Sequence, residues 1–409
     1  MASEQSFVIV GASLAGAKAA ETLRTEGFDG RLVLIGEETD RPYERPMLSK
    51  EYLRGDKPAA KLFVHDEGFY AAHDIELLTG TRVASLDPGA HEVTLQNGSR
   101  MPYSLLLLST GAIPRRLSLP GADLPGVRYL RTMGDSDALR AAITAASRVV
   151  VIGSGWIGSE VAASARQLGA EVAIVGPDAV PLERVLGPEV GGVYRELHAE
   201  NGVELHLSTK VMAIVGGDAA QGVRTMDGAV VEGDLVVVGV GATPRDELAR
   251  DAGLTLENGI VVDELLRTSA PDVFAAGDVA ATWNPMYNKR IRVEHWANAL
   301  NQGQTAARNM LGLGTAYAKL PYFYSDQFDL GMEYNGYASD WDRVVLRGDA
   351  AGREFLAFWL KDGRVLAGMN ANIWDQGDDI KALVRAGAGI DVGRLADASI
   401  PLADLVLGI

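Results

Sequence analysis

The feature that most constrains this chain is a repeat. The run Phe7-Val-Ile-Val-Gly11-Ala-Ser13-Leu14-Ala15-Gly16 returns later as Val149-Val-Val-Ile-Gly153-Ser-Gly155-Trp156-Ile157-Gly158. Each copy is a β-branched run, a turn of small residues and an Ala-rich helical stretch, followed by a second apolar run, Arg31 to Ile35 or Glu171 to Val175. Strand, helix and strand in this order form a βαβ unit. Two such units predict an α/β fold with two Rossmann-like dinucleotide-binding domains.

A second echo extends the duplication. Leu105-Leu-Leu-Leu-Ser-Thr110-Gly111-Ala-Ile-Pro114-Arg115 is matched by Leu235-Val-Val-Val-Gly-Val-Gly241-Ala-Thr-Pro244-Arg245, and both runs end in Gly-x-x-Pro-Arg. The repeated element is therefore a whole domain, and two dinucleotide sites are expected. At about 100–200 residues per domain, a chain of this length has room for more than two. From Tyr322 onward aromatic residues cluster, then strands are predicted at Arg343 to Leu346, Phe355 to Leu360 and Val365 to Met369, with a helix near Asp379 to Ala386. The expected division is a discontinuous first domain (1–112 and 245–321), an inserted second domain (113–244) and a C-terminal α+β interface domain (322–409).

Composition removes whole classes of chemistry. With no cysteine among 409 residues, disulfides, thiolate metal sites, cysteine-ligated clusters and thiol catalysis are all excluded. A net charge of −16 makes duplex nucleic acid and anionic membranes poor partners. The N-terminal residues lack Lys and Arg, and Gly11 and Gly16 interrupt the apolar run that follows, so neither a signal peptide nor a membrane span is expected. The expected location is the cytoplasm. The six histidines, His65, His73, His91, His198, His206 and His295, show no metal-ligand spacing, and no metal site is expected.

A pyrophosphate needs close backbone N–H donors and the positive end of a helix dipole, so the turn before the helix must be built of small residues. Gly153, Gly155 and Gly158 supply this in the second copy; in the first, Ser13 stands between Gly11 and Gly16. An acid about 20 positions beyond the last glycine takes the ribose hydroxyls. Glu37 stands there in the first copy and Asp178 in the second, where Asp178 also reads as a turn residue after Pro177. A ribose 2′-phosphate would call for nearby cations, and Arg184 is the first after Gly176. This favours NADH, with NADPH as the alternative.

Together with these folds, Arg41-Pro-Tyr-Glu-Arg45-Pro46-Met-Leu-Ser-Lys50, Thr110-Gly111-Ala-Ile-Pro-Arg115, Ala275-Ala-Gly277-Asp278 and Glu294-His295-Trp296-Ala297-Asn-Ala look like the glutathione-reductase-type flavoproteins. Within these the chain resembles the ferredoxin reductases of oxygenase systems, over almost its whole length. The resemblance implies FAD in the first site and NADH or NADPH in the second. It implies that Gly11, Ser13, Leu14, Ala15, Gly16 and Glu37 hold the adenosine diphosphate of FAD. Arg45 and Arg115 would neutralise phosphate or line the flavin pocket, Val83, Thr110, Gly111 and Gly241 would line the cofactor pockets, and Gly277 and Asp278 would meet the ribityl chain. The helix opening around Glu294, His295, Trp296 and Ala297 would aim its N-terminus at the flavin pyrimidine. Trp156 and Ile157 would flank the nicotinamide nucleotide. Lys50 and Glu160 would pair beside flavin N5 as the residues closest to the chemistry. Tyr324 stands where relatives commonly carry Trp.

Nicotinamide yields an electron pair, whereas iron–sulfur carriers take single electrons, so a flavin is the natural converter. Without a redox cysteine, the reading is electron transfer to a small [2Fe–2S] ferredoxin that serves a P450 or oxygenase. Ferredoxins are usually acidic, and Lys289, Arg290, Arg292, Arg308, Lys381 and Arg385 are the candidate docking cations. The alternatives are rubredoxin, a quinone or monodehydroascorbate as acceptor, or a redox-controlled binding protein of the apoptosis-inducing-factor kind. The oligomeric state is not legible.

Overall fold

The computed structural model describes residues 5–406. These divide into two compact units, one made of residues up to Glu44, Ala59–Ile113 and Ala242–Pro321, the other of Arg45–Pro58, Pro114–Gly241 and the residues from Tyr322.

In the first unit the hydrophobic runs become a parallel five-stranded sheet in the order Val273–Ala275, Leu105–Leu108, Ser6–Val10, Arg31–Ile35, Ile75–Leu78. Phe7 pairs with Leu32 on one side and Leu105 on the other, so the repeat's first strand lies at the sheet centre. Its residues Val8 and Ile9 are fully buried, as continuous apolar strands covered on both faces must be. The helix Leu14–Thr25 packs against the helix Trp296–Met310. Their approach is close because Gly303 lies over the Ala15 carbonyl, where an added methyl would come within 2.2 Å. Two three-stranded sheets, Val83–Asp87 with Glu92–Leu95 and Arg100–Pro102, and Ile260–Val262 with Ala280–Asn284 and Lys289–Ile291, complete the unit.

The second unit repeats the plan. Its parallel sheet runs Val203–His206, Glu171–Val175, Arg148–Ile152, Leu235–Val238, Val127–Arg128. Arg148 pairs with Glu171 as Ser6 pairs with Arg31, so the two copies share register as well as sequence. The helix Trp156–Gln167 follows the central strand.

The same unit holds a five-stranded antiparallel sheet, ordered Tyr322–Gln327, Leu330–Gly336, Arg364–Ala371, Glu354–Lys361, Arg343–Asp349. Three of these strands and the helix Gly377–Ala386 fall where the sequence predicts them, each extended at one end or both. The aromatic cluster, which carried no assignment, forms the other two. Tyr334 of this cluster and Trp359 of the strand Glu354–Lys361 pack against the helix Glu183–Glu200: Trp359 Nε1 donates to the Leu186 carbonyl at 3.1 Å, and Leu186, Tyr194 and Leu197 are fully buried.

The segment Arg45–Pro58 packs within the second unit because its polar groups are satisfied there. Ser136 Oγ donates to the Leu48 carbonyl at 2.8 Å, Ser164 Oγ to the Ser49 carbonyl at 2.7 Å, and Tyr52 Oη to Asp137 at 2.9 Å. Among the described residues no helix is long and apolar enough to cross a membrane, and no cluster of three or more His, Asp or Glu side chains could hold a metal ion.

Candidate functional site

The first site begins where the central strand of the first unit ends. Gly11, at φ +119°, turns the chain, and its amide donates to the Ile35 carbonyl at 2.8 Å. Ser13 then caps the helix Leu14–Thr25 in extended conformation, with no side-chain capping bond and no acid in the first turn. The free N–H groups and the positive helix end are therefore available to an anion. Gly16 is required by sterics: a methyl there would come within 2.0 Å of the Gly11 carbonyl oxygen. Leu14 and Ala15 are buried beneath the turn.

Glu37 follows the second strand, and its carboxylate accepts from Arg245 at 2.5 Å, with Arg82 at 3.9 Å. Arg245 also fixes the loop below: its carbonyl accepts from Thr110 Oγ1 at 2.6 Å, and its amide donates to the Gly111 carbonyl at 2.9 Å. Arg245 is absent from the sequence-based site, although the echo of Pro114-Arg115 in Pro244-Arg245 is its signal. Val83 is buried at the start of its strand.

On the other side of the same sheet, Asp278 sits in the short helical turn Gly277–Val279 that follows the strand Val273–Ala275. The turn is braced by Gln302, which accepts from the Gly277 amide at 2.8 Å and donates to Thr282 at 2.9 Å, and by Arg292, which donates to the Asp278 carbonyl at 2.9 Å. Glu294 is held by Arg292 at 2.7 Å. His295 caps the helix Trp296–Met310; burial pushes its imidazole down to about 4, against a smaller opposing effect of Asp278. This helix also begins without a side-chain cap and without an acid in its first turn, Ala297 included. The indole Nε1 of Trp296 is buried with no hydrogen-bond partner. An unmatched buried donor beside an uncapped helix end is a fit for a ligand that carries acceptors.

The second unit repeats the nucleotide turn. Gly153 has φ +106°, Gly155 caps the helix Trp156–Gln167 with open space where its side chain would be, and a methyl on Gly158 would meet the Gly153 carbonyl oxygen at 2.0 Å. Again the first helical turn holds no acid. Ile157 is exposed, whereas Trp156 packs edge-on against Phe323 and Tyr194, so the indole serves the aromatic core. Past the next strand, Asp178 accepts from Arg184 Nε at 2.9 Å and presents its carbonyl to the Ser208 amide at 2.9 Å. Asp178 is thus both a turn residue and an acid at the tip of the nucleotide sheet. Gly241, at φ +97°, accepts from the amide of the exposed Arg115 at 2.9 Å.

The pair expected to stand closest to the chemistry, Lys50 and Glu160, lies wholly in this unit. Lys50, at the junction of the turns Pro46–Ser49 and Glu51–Arg54, is 3% exposed, and Glu160 on the nucleotide helix is 5% exposed. Lys50 Nζ donates to Glu160 Oε2 at 3.2 Å, and Ser49 Oγ donates to the same oxygen at 2.5 Å. Ser325 Oγ donates to Oε1 at 2.7 Å. Lys50 Nζ also stands 5.5 Å from the centre of the Tyr324 ring, a cation–π distance. Arg45 opens this segment and donates to the Arg131 carbonyl at 2.7 Å. Ser49 and Ser325 are hydrogen-bonding neighbours of Glu160 that the sequence reading missed. Strand alternation through Phe323, Ser325 and Gln327 was the available signal, because it places all three on one face.

The expected docking cations are largely engaged. Arg290 donates to the Val262 and Ala281 carbonyls, Arg292 pairs with Glu294, Arg308 with Glu26 and Lys381 with Asp378. Arg385 is exposed.

Residues 5–303 match the pyridine nucleotide-disulphide oxidoreductase family, and residues 322–406 match the reductase C-terminal family. The chain is 41% identical to the anthranilate 1,2-dioxygenase system ferredoxin–NAD(+) reductase component of Burkholderia cepacia, over 97% of this chain and 98% of that one. It is 35% identical to putidaredoxin reductase of Pseudomonas putida, over 99% and 98%. Its fold matches the crystal structure of the covalent putidaredoxin reductase–putidaredoxin complex with a TM-score of 0.95 at 35% identity, covering 100% of this chain and 99% of that one. A ferredoxin reductase from Rhodopseudomonas palustris matches with a TM-score of 0.94 at 36% identity, over 98% and 99%. Two uncapped nucleotide turns, a buried Lys–Glu pair and this agreement along nearly the whole length lead to one conclusion: the chain belongs to the pyridine nucleotide-disulphide oxidoreductase family, among the ferredoxin reductases of oxygenase systems.

Proposed function

We propose that this chain takes an electron pair from NADH and delivers it, one electron at a time, to a small [2Fe–2S] ferredoxin serving an oxygenase. The observation that carries this reading is the pair of glycine-rich turns opening onto uncapped helix N-termini, in a chain without cysteine. A thiol relay is thereby excluded, and the electrons must leave directly from the bound cofactor. FAD, when bound, supplies the two-electron to one-electron conversion.

The residues assign themselves to that task by chemistry. The amides at the start of Leu14–Thr25 would bind the pyrophosphate of FAD and Glu37 its ribose, with Arg245 orienting the carboxylate. Asp278 would accept from the ribityl hydroxyls. Trp296 Nε1 and the amides of its helix end would donate to the pyrimidine edge, where partial positive charge favours the reduced anion. Gly153, Gly155 and Gly158 would cradle the nicotinamide nucleotide, and Asp178 would take its ribose hydroxyls and repel a 2′-phosphate. Lys50 presents a buried ammonium whose charge Glu160 balances. The corresponding division is an FAD-binding domain at 1–112 and 245–321, a nicotinamide-binding domain at 113–244 and an interface domain at 322–409.

The test is direct. Purified protein should be yellow, bleach anaerobically on one equivalent of NADH, and reduce cytochrome c only when a [2Fe–2S] ferredoxin is added. Colourless protein that refuses FAD on reconstitution would overturn the reading.

A further inference from the structure

Glu160 stands at the end of a line of buried polar side chains that hydride transfer does not itself require. Ser325 and Gln327 alternate inward on the strand Tyr322–Gln327, and His198 lies in the last turn of the helix Glu183–Glu200. All three are almost completely enclosed. His198 Nε2 is 2.8 Å from Gln327 Oε1, Gln327 Nε2 is 3.3 Å from Ser325 Oγ, and Ser325 Oγ is 2.7 Å from Glu160 Oε1.

The direction of every bond follows from the groups present. An ionised carboxylate only accepts, so the Ser325 hydrogen points at Glu160. The Ser325 oxygen then accepts from the Gln327 amide nitrogen, which turns the Gln327 carbonyl toward His198. A carbonyl cannot donate, so the imidazole carries its hydrogen on Nε2. Burial pushes His198 down to about 4, leaving one ring hydrogen near neutral pH, and Nδ1 is buried with no partner, as this tautomer requires. We propose that His198, Gln327 and Ser325 form a one-way donor chain that positions the Glu160 carboxylate opposite Lys50. Bonds aligned in this way polarise one another. The chain joins the second nucleotide domain to the C-terminal sheet, so the carboxylate facing Lys50 is set partly by a residue at the far end of another helix.

The proposal rests on the reading that Lys50 and Glu160 serve flavin reduction, but its central test does not. The titratable groups facing Glu160 are Lys50, Asp326 on the adjacent strand and Tyr194, with Glu51 and Arg54 acting on Asp326. Infrared titration of the holoenzyme follows the protonated carboxyl band, which Glu160→Gln identifies by removing it. Ser325→Ala should raise the Glu160 midpoint, because a hydrogen bond to the charged form is lost. Ser325→Thr keeps the hydroxyl and should restore the native midpoint. Gln327→Met and His198→Phe leave every direct partner of Glu160 in place and should raise it by less. The acid limb of NADH-driven flavin bleaching should move with the midpoint. A native Glu160 midpoint in folded Ser325→Ala, Gln327→Met and His198→Phe would overturn the chain. Unchanged bleaching in Lys50→Met would instead overturn the role of the Lys–Glu pair and leave the infrared result standing.

Discussion

Lys50 Nζ lies 3.2 Å from Glu160 Oε2 with both side chains nearly devoid of solvent contact, although the two residues come from different repeats of the sequence. Removing one partner strands the other. Lys50→Met should cost about 3–5 kcal/mol of stability, the usual result of an unpaired buried charge, and should slow flavin reduction by NADH roughly a hundredfold, as loss of a preorganised charge does. The double variant Lys50→Met with Glu160→Gln should recover most of the stability and none of the rate. Thermal melts and anaerobic stopped-flow absorbance separate the two effects; equal recovery of both would mean the pair is structural only.

The two glycines that end the nucleotide turns make separable predictions. A methyl at Gly16 or at Gly158 meets a backbone oxygen at 2.0 Å, and each helix packs on the strands of its own sheet. Gly16→Ala should purify with little flavin. Gly158→Ala should keep its flavin while its Kd for NADH rises by about tenfold or more, a loss of at least ~1.4 kcal/mol. Flavin absorbance and titration calorimetry give the readout.

Asp178 holds Arg184, whose side chain is otherwise largely in solvent. Replacing Asp178 with Ala removes the charge that opposes a 2′-phosphate and frees a guanidinium able to bind one. The ratio of kcat/KM for NADPH over NADH should rise by about tenfold, or ~1.4 kcal/mol. An unchanged ratio would place discrimination elsewhere.

His198 gives the protein an acid-side weakness. Burial holds its imidazole at about 4, below the ordinary value of 6.5, so the unfolded chain binds this proton more tightly than the folded one. Stability is therefore intact above pH 6.5 and falls as the pH drops from 6.5 towards 4, by up to about 3 kcal/mol. His295 acts in the same direction. His198→Phe should flatten the decline of melting temperature across this range, and a parallel decline in native and variant protein would refute the assignment.

The primary structure alone determined the architecture of the nucleotide folds. A continuous β-branched apolar run, a turn that tolerates only small residues and an Ala-rich helix are local patterns, and their repetition at Gly11 and Gly153 specified parallel sheets and two anion-binding helix ends. Three strands of the C-terminal sheet were legible as compact apolar runs, Glu354–Lys361 and Arg364–Ala371 being buried along most of their length. Local pattern could not show where the segment Arg45–Pro58 would pack. Its serine and aspartate partners, Ser136, Asp137 and Ser164, are distant in sequence, and only the folded chain brings them together. The same holds for Arg245 on Glu37 and for the line from His198 through Gln327 and Ser325 to Glu160. A nucleotide turn is built from residues adjacent along the backbone, so its chemistry can be read in order. A buried charge must instead collect hydrogen bonds from whatever the fold places around it, and that selection is made by tertiary packing.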